Sequence, residues 1–198
     1  GIGGTSAGAT SYGPTNDAVS RKALNCALDE GINFYDTSNV YGDGHSEALI
    51  GQAFGKKRPH VLIATKVGLT QYGKPANFST KNITSSLEAS LKRLQTDYVD
   101  LLQLHSPSLH SIQQIHNIRA LIDQLKHQGK IRAFGVSVRS PADGLWAIEK
   151  LKAECLQVNF NLLDHRVIDS GLIKNSEANQ VSLIARTPLC FGFLSGKL

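Results

Sequence analysis

The chain has 198 residues, 41% hydrophobic and 19% charged, an ordinary balance for a soluble globular protein. Its formal charge of +5 favours anionic ligands, but no basic stripe with interleaved aromatics appears, which argues against nucleic acid. No apolar run is long enough to span a bilayer and no secretory apolar region is present, so a cytoplasmic protein without membrane contact is expected.

In chain order, Thr15 or Asn16 can cap a first helix whose inward face is Val19, Ala23, Leu24, Ala27 and Leu28, closed by Gly31. The apolar run 31–36 reads as a buried strand ending on Asp36. A turn segment, 37–44, carries Tyr41. Ser46, with Glu47, opens a second helix bearing Leu49, Ile50, Ala53 and Phe54, and Gly55 ends it. The strand 61–66 ends on Lys66, and a polar loop runs from Gly68 to Ser79. Thr80 then caps a helix whose Ile83, Leu87, Leu91 and Leu94 form a stripe at the helical period. The strand 98–105 ends on His105. A longer helix carries Ile112, Ile115, Ile118, Leu121, Ile122 and Leu125 and stops at Gly129. The strand 132–137 is followed by Ser140-Pro141, a favoured cap and first-turn pair, opening a helix with Leu145, Ile148 and Leu151. Strands at 155–160 and 181–186 complete the pattern, with a weaker helix around 169–179 between them.

Short, nearly continuous apolar strands alternating with amphipathic helices indicate a parallel sheet covered by helices. No Gly-x-Gly-x-x-Gly follows a strand at a helix entry, which disfavours a doubly wound dinucleotide fold relative to a (β/α)8 TIM barrel. The length fits one barrel domain over residues 1–198. Cys26, Cys155 and Cys190 are widely and irregularly spaced, without a CxxC pair, and are expected to be inert core thiols. Lys56-Lys57-Arg58, the densest basic cluster, reads as a solvated loop. Asp43 and Glu47 read as acidic residues at a helix N-terminus, and no His/Cys cluster suggests a metal.

The chemistry lies at the strand ends. In a parallel barrel, catalytic groups gather at the carboxyl ends of the strands. Asp36, Lys66 and His105 end successive strands, and Tyr41 follows Asp36 closely. A carboxylate, a phenol, an amine and an imidazole would then converge on one rim, which is a proton-transfer site. Each has a plain structural alternative: turn packing for the tyrosine, a cap for the aspartate, a solvated amine, a backbone-bonded histidine. Their joint placement favours the chemical reading.

The segment Asn33-Phe-Tyr-Asp-Thr-Ser-Asn-Val-Tyr-Gly-Asp-Gly-His-Ser-Glu47 closely resembles the aldo-keto reductases. The likeness continues through Ala64-Thr-Lys66, Asp100-Leu-Leu-Gln-Leu-His105, Gly135-Val-Ser137, Leu156-Gln-Val-Asn159 and Pro188-Leu189, in the family's order and spacing. The resemblance implies an NADPH-dependent reductase of aldehydes or ketones on a (β/α)8 barrel, with Asp36, Tyr41, Lys66 and His105 as catalytic tetrad. Ser137 and Gln157 match positions that hold the nicotinamide carboxamide, and Thr5 matches a loop residue near the nicotinamide ribose. Pro188-Leu189 looks like the start of the segment over the pyrophosphate. Arg186 stands where many members place an aromatic ring on the nicotinamide, and its guanidinium could stack or attract a phosphate. Val138 stands where many relatives have Asn, so one carboxamide hydrogen bond is missing or supplied by backbone. The family normally continues beyond Leu198 with a further strand-helix unit and a carboxy-terminal loop, and the first strand looks clipped at Gly1, so the barrel is expected to be incomplete at both ends.

Under this resemblance Tyr41 gives the proton during reduction. An adjacent ammonium favours loss of a phenol's proton, and Lys66, paired with Asp36, is the candidate. A neutral His105 would orient the carbonyl. Two alternatives remain open: a cofactor-binding regulatory module of the same fold with little turnover, and a barrel lyase or epimerase using Lys66 as a Schiff base. The partner is a small carbonyl compound in the leading reading; the sequence does not give the oligomeric state.

Overall fold

The computed structural model describes residues 15–71, 73–108, 110–111 and 117–196. Its centre is a six-stranded sheet, all parallel, with strands in sequence order: β1 (Phe34–Asp36), β2 (Leu62–Val67), β3 (Val99–His105), β4 (Ile131–Ser137), β5 (Cys155–Asn159) and β6 (Ser182–Arg186). Helix α1 (Asp17–Asp29) precedes β1, and α2 (His45–Phe54), α3 (Thr80–Leu94), α4 (Ile118–His127), α5 (Pro141–Trp146), α6 (Arg166–Asp169) and α7 (Leu172–Ala178) fall between the strands. This is the strand-helix alternation of a (β/α)8 barrel, seen over six strands.

The large apolar cluster lies between strands and helices. Leu102, Leu104, Phe134, Val136 and Leu156 meet Leu87, Ile122 and Ile148 there. The alternate strand positions form a second, smaller cluster of Ala64, Leu101 and Cys155, with Ala133 and Ile184 against them. Those five side chains come from β2 to β6, so the sheet curls around them. The rim curls the same way: Arg186 at the end of β6 lies close enough to Asp36 at the end of β1 for their charges to interact. In a flat sheet, strands five steps apart would be about 24 Å apart, too far for that coupling.

Several boundaries depart from the periodicity. Strand β1 begins at Phe34 rather than residue 31, because Gly31 (φ +87) ends α1 and Ile32 donates back to the Ala27 carbonyl at 2.8 Å. Asn16 is the cap of α1, accepting from Val19 N–H at 3.1 Å. Ser79 caps α3 instead of Thr80, which is already helical. Helix α2 opens at His45 after the left-handed Gly44, and the Ser46 hydroxyl instead accepts from Thr37 at 2.9 Å. Asn117, at φ +62, precedes α4, and Ile112 and Ile115 lie outside the described residues. The weak helix divides into α6 and α7 at Gly171. Ser140 does cap α5, in a reciprocal arrangement with Asp143.

Two polar expectations are corrected. Cys26 is exposed and Cys190 partly so; only Cys155 is a core thiol, pushed up to about 12 by burial and then by Asp36. Arg58 is buried, because its guanidinium bonds the Val61 carbonyl at 2.7 Å and Asp100 at 2.8 Å. The Tyr98 ring lies between Arg58 and Arg132, whose guanidinium carbons are 4.0 and 4.3 Å from its centroid. Glu47 stands in the first turn of α2 as its spacing suggests, and there it is buried and pairs with Arg93 at 2.7 Å. Among the described residues, no helix is long and apolar enough to cross a membrane.

Candidate active site

Strand register sets the site. Lys66 pairs with Gln103, His105 with Ser137, Ser137 with Gln157, and Asn159 with Arg186. Residues of equal parity share a face, so these side chains line the concave, carboxyl-terminal mouth with Asp36.

Lys66 is fully buried, and its ammonium finds three oxygen acceptors: Asp36 Oδ2 at 2.5 Å, the Thr37 carbonyl at 2.9 Å and Tyr41 Oη at 3.4 Å. An ammonium has three N–H groups, so all are used. Burial pushes the Lys66 pKa below the usual lysine range, while the charge and hydrogen bond of Asp36 oppose the fall. The other Asp36 oxygen accepts from Gln103 Nε2 at 3.0 Å. Sequence reasoning missed Gln103. The available signal was its place two residues before His105 on one strand, which puts both on the same face.

His105 is buried at the end of β3. Its Nδ1 is 2.9 Å from Ser38 Oγ, and its ring meets Tyr41 edge-on with centroids 5.9 Å apart. Burial, then the positive fields of Lys66, Arg186 and Arg139, push the imidazole down to about 3. It is neutral near pH 7. Ser38, also missed from sequence, engages Nδ1, while Nε2 has no hydrogen-bond partner among the described residues. The turn bearing Ser38 and Tyr41 is fastened at both ends: Thr37 N–H bonds the Ala64 carbonyl at 2.8 Å, and Asn39 Nδ2 bonds the Leu69 carbonyl at 2.8 Å.

Beyond His105, the Ser137 hydroxyl and Gln157 amide are buried side by side with no side-chain hydrogen-bond partner among the described residues. Such a pair offers donors and an acceptor to a planar amide. Val138 adds no donor: its side chain is buried and its N–H is spent on the Gln157 carbonyl at 2.9 Å. Of the two possibilities for the missing carboxamide contact, a replacement from that N–H is thereby removed. Arg186 donates to the Val138 carbonyl at 3.1 Å, and its buried Nε has no acceptor. Pro188 and Leu189 are exposed past β6. Thr5 lies outside the described residues.

A family model described as the Aldo/keto reductase family matches residues 1–198. Aldo-keto reductase YhdN of Bacillus subtilis (strain 168) is 35% identical over 206 residues, covering 100% of this chain and 60% of that protein. Aldo-keto reductase yakc [NADP(+)] of Schizosaccharomyces pombe is 30% identical over 193 residues, covering 93% of this chain and 56% of that protein. The aldo-keto reductase AKR11C1 from Bacillus halodurans, in its holo form, superposes with a TM-score of 0.82 at 29% identity, over 93% of this chain and 62% of that one. The chain thus spans about 60% of the length of the curated relatives it matches. With the same strand-helix order, the same curled parallel sheet and a family match along its whole length, the chain belongs to the aldo/keto reductase family.

Proposed function

We propose that the protein reduces an aldehyde or ketone to an alcohol, with NADPH as reductant and Tyr41 as proton donor. The observation that carries this reading is the Lys66 ammonium, bonded at once to Asp36 and to the Tyr41 hydroxyl, beside a neutral His105.

Ser137 and Gln157, whose side chains have no hydrogen-bond partner among the described residues, suit a carboxamide, which supports a nicotinamide at this mouth, and a relative named for NADP(+) supports the phosphorylated form. A reduced nicotinamide bound there supplies the hydride. Tyr41 Oη then delivers its proton to the carbonyl oxygen. Lys66 stabilises the phenolate left behind, and Asp36 holds the ammonium in place with Gln103 fixing the carboxylate. His105, neutral, presents Nε2 to the same oxygen and orients the carbonyl. The Asp36 carboxylate on Lys66 favours the ammonium, which has no lone pair, and this argues against the Schiff-base alternative.

The test is Tyr41→Phe. Loss of the general acid is expected to lower kcat for aldehyde reduction by about 10²–10⁴-fold, while the NADPH Kd, read by fluorescence quenching, stays within a few fold. Retained turnover would remove Tyr41 from the mechanism. No turnover in the wild type, with tight cofactor binding, would favour the regulatory module.

A further inference from the structure

The mouth of the sheet carries more positive charge than its own carboxylates neutralise. Both oxygens of Asp36 are taken, by Lys66 and Gln103. Asp164, the carboxylate nearest the end of β5, is held in a two-point fork by Arg166, at 2.8 and 2.7 Å. Asp43, exposed in the turn after Tyr41, takes part in no ion pair among the described residues. The segments that follow β2, β3 and β6 in the sequence, 68–79, 106–116 and 187–198, contain no acidic residue, nor does 1–14.

At the mouth, two guanidinium groups have no carboxylate partner among the described residues, those of Arg139 and Arg186. Arg139 follows β4, is exposed, and uses only Nε, which donates to the carbonyl of Ser106 at 2.8 Å. Ser106 is the residue after His105, so this bond brings the Arg139 guanidinium to the His105 strand end. Its two terminal nitrogens have no partner among the described residues. Arg186 is anchored on Val138, the residue before Arg139, and keeps a buried Nε without an acceptor. Both charges bear on His105. A planar guanidinium tethered at Nε still presents both terminal nitrogens in the geometry that matches a carboxylate or phosphate.

We propose that Arg139, backed by Arg186, docks an anionic group carried by the carbonyl substrate itself, so that the enzyme prefers short aldehydes or ketones bearing a carboxylate or phosphate. The inference rests on the reductase reading above. It assigns Arg139 a part in specificity rather than in the chemical step. The amide-binding pair Ser137 and Gln157 lies toward β5, whereas Arg139 leans toward β3 and His105, on the side where the carbonyl is oriented.

The test compares succinic semialdehyde with butanal, equal in carbon number and differing in charge, on the whole protein with NADPH. Expected is a kcat/KM ratio of about tenfold or more for the anion at low salt, narrowing as ionic strength rises. Arg139→Gln should cut that ratio about tenfold, mainly through KM for the anionic aldehyde, and Arg139→Lys should restore part of it. A ratio near one in the wild type, or an equal loss for both aldehydes, would overturn the proposal. So would a weaker NADPH Kd in Arg139→Gln with the ratio intact, which would assign the anion to the cofactor. Absence of turnover with either aldehyde defeats the reductase reading alone. Thermal stabilisation by succinate in the wild type and not in Arg139→Gln would then uphold the docking point, and no stabilisation in either would end it.

Discussion

Thr65 donates its hydroxyl to the Glu47 carboxylate at 2.5 Å, joining the residue beside Lys66 to the helix that follows Tyr41. Arg93 supplies the balancing charge from α3, and Glu47 is fully buried. At the entry to that helix Gly44 has φ +86, and a Cβ there would meet Arg93 Cδ at 2.7 Å. The Tyr41 turn and the Lys66 strand therefore share one frame, held by a carboxylate whose partners are Thr65 and Arg93.

Removing that carboxylate should be costly. Glu47→Ala is expected to destabilise the fold by roughly 2–4 kcal/mol, since it leaves a half-buried guanidinium and a buried hydroxyl unpaired. Glu47→Gln keeps an acceptor for Thr65 and should cost less. Urea unfolding measures both; a midpoint for Glu47→Ala equal to that of the wild type would refute the supporting role.

The packing of α2 on α3 depends on one missing methyl group. A Cβ on Gly51 would lie 2.5 Å from the Arg93 carbonyl oxygen and 2.7 Å from the Leu94 carbonyl carbon, both backbone atoms. Backbone cannot swing aside as a side chain can, so the helices must separate. Gly51→Ala should therefore destabilise by about 1–3 kcal/mol, despite the better helix propensity of alanine. A rise in melting temperature would contradict the close approach.

His105 makes stability depend on pH. Its folded pKa, about 3, lies below the ordinary 6.5, so between these values the unfolded chain binds a proton that the folded one refuses. This contribution is fully present above about pH 6.5 and is lost as pH falls toward 3, by up to about 1.4 kcal/mol per pH unit. His105→Gln should flatten the fall in urea midpoint between pH 7 and pH 5. Parallel curves for the two proteins would count against a neutral, buried imidazole.

Legibility followed the range of the forces. The stripe Ile83, Leu87, Leu91 and Leu94 faces the sheet as its period requires, and Ser140 caps α5 as its dipeptide suggests. Asp36, Tyr41 and Lys66 could be picked out because strand ends in a parallel sheet share one edge. Cys26 and Arg58 were misread, and the burial of Glu47 was not foreseen, for a common reason: their surroundings come from distant segments. Arg58 is buried only because Asp100 and the Val61 carbonyl accept from it, and Glu47 because Thr65 and Arg93 meet it.

The sequence by itself determined the alternation of strands and helices, because periodicity and capping act over a few residues. It also determined the family, since the motifs survive in order along the chain. Only the tertiary structure decided which groups saturate Lys66, that Gln103 and Ser38 hold Asp36 and His105, and that Arg139 and Arg186 pair with no carboxylate among the described residues. Those contacts join residues tens of positions apart, and they exist only where the curl of the sheet brings the strand ends within a hydrogen-bond length.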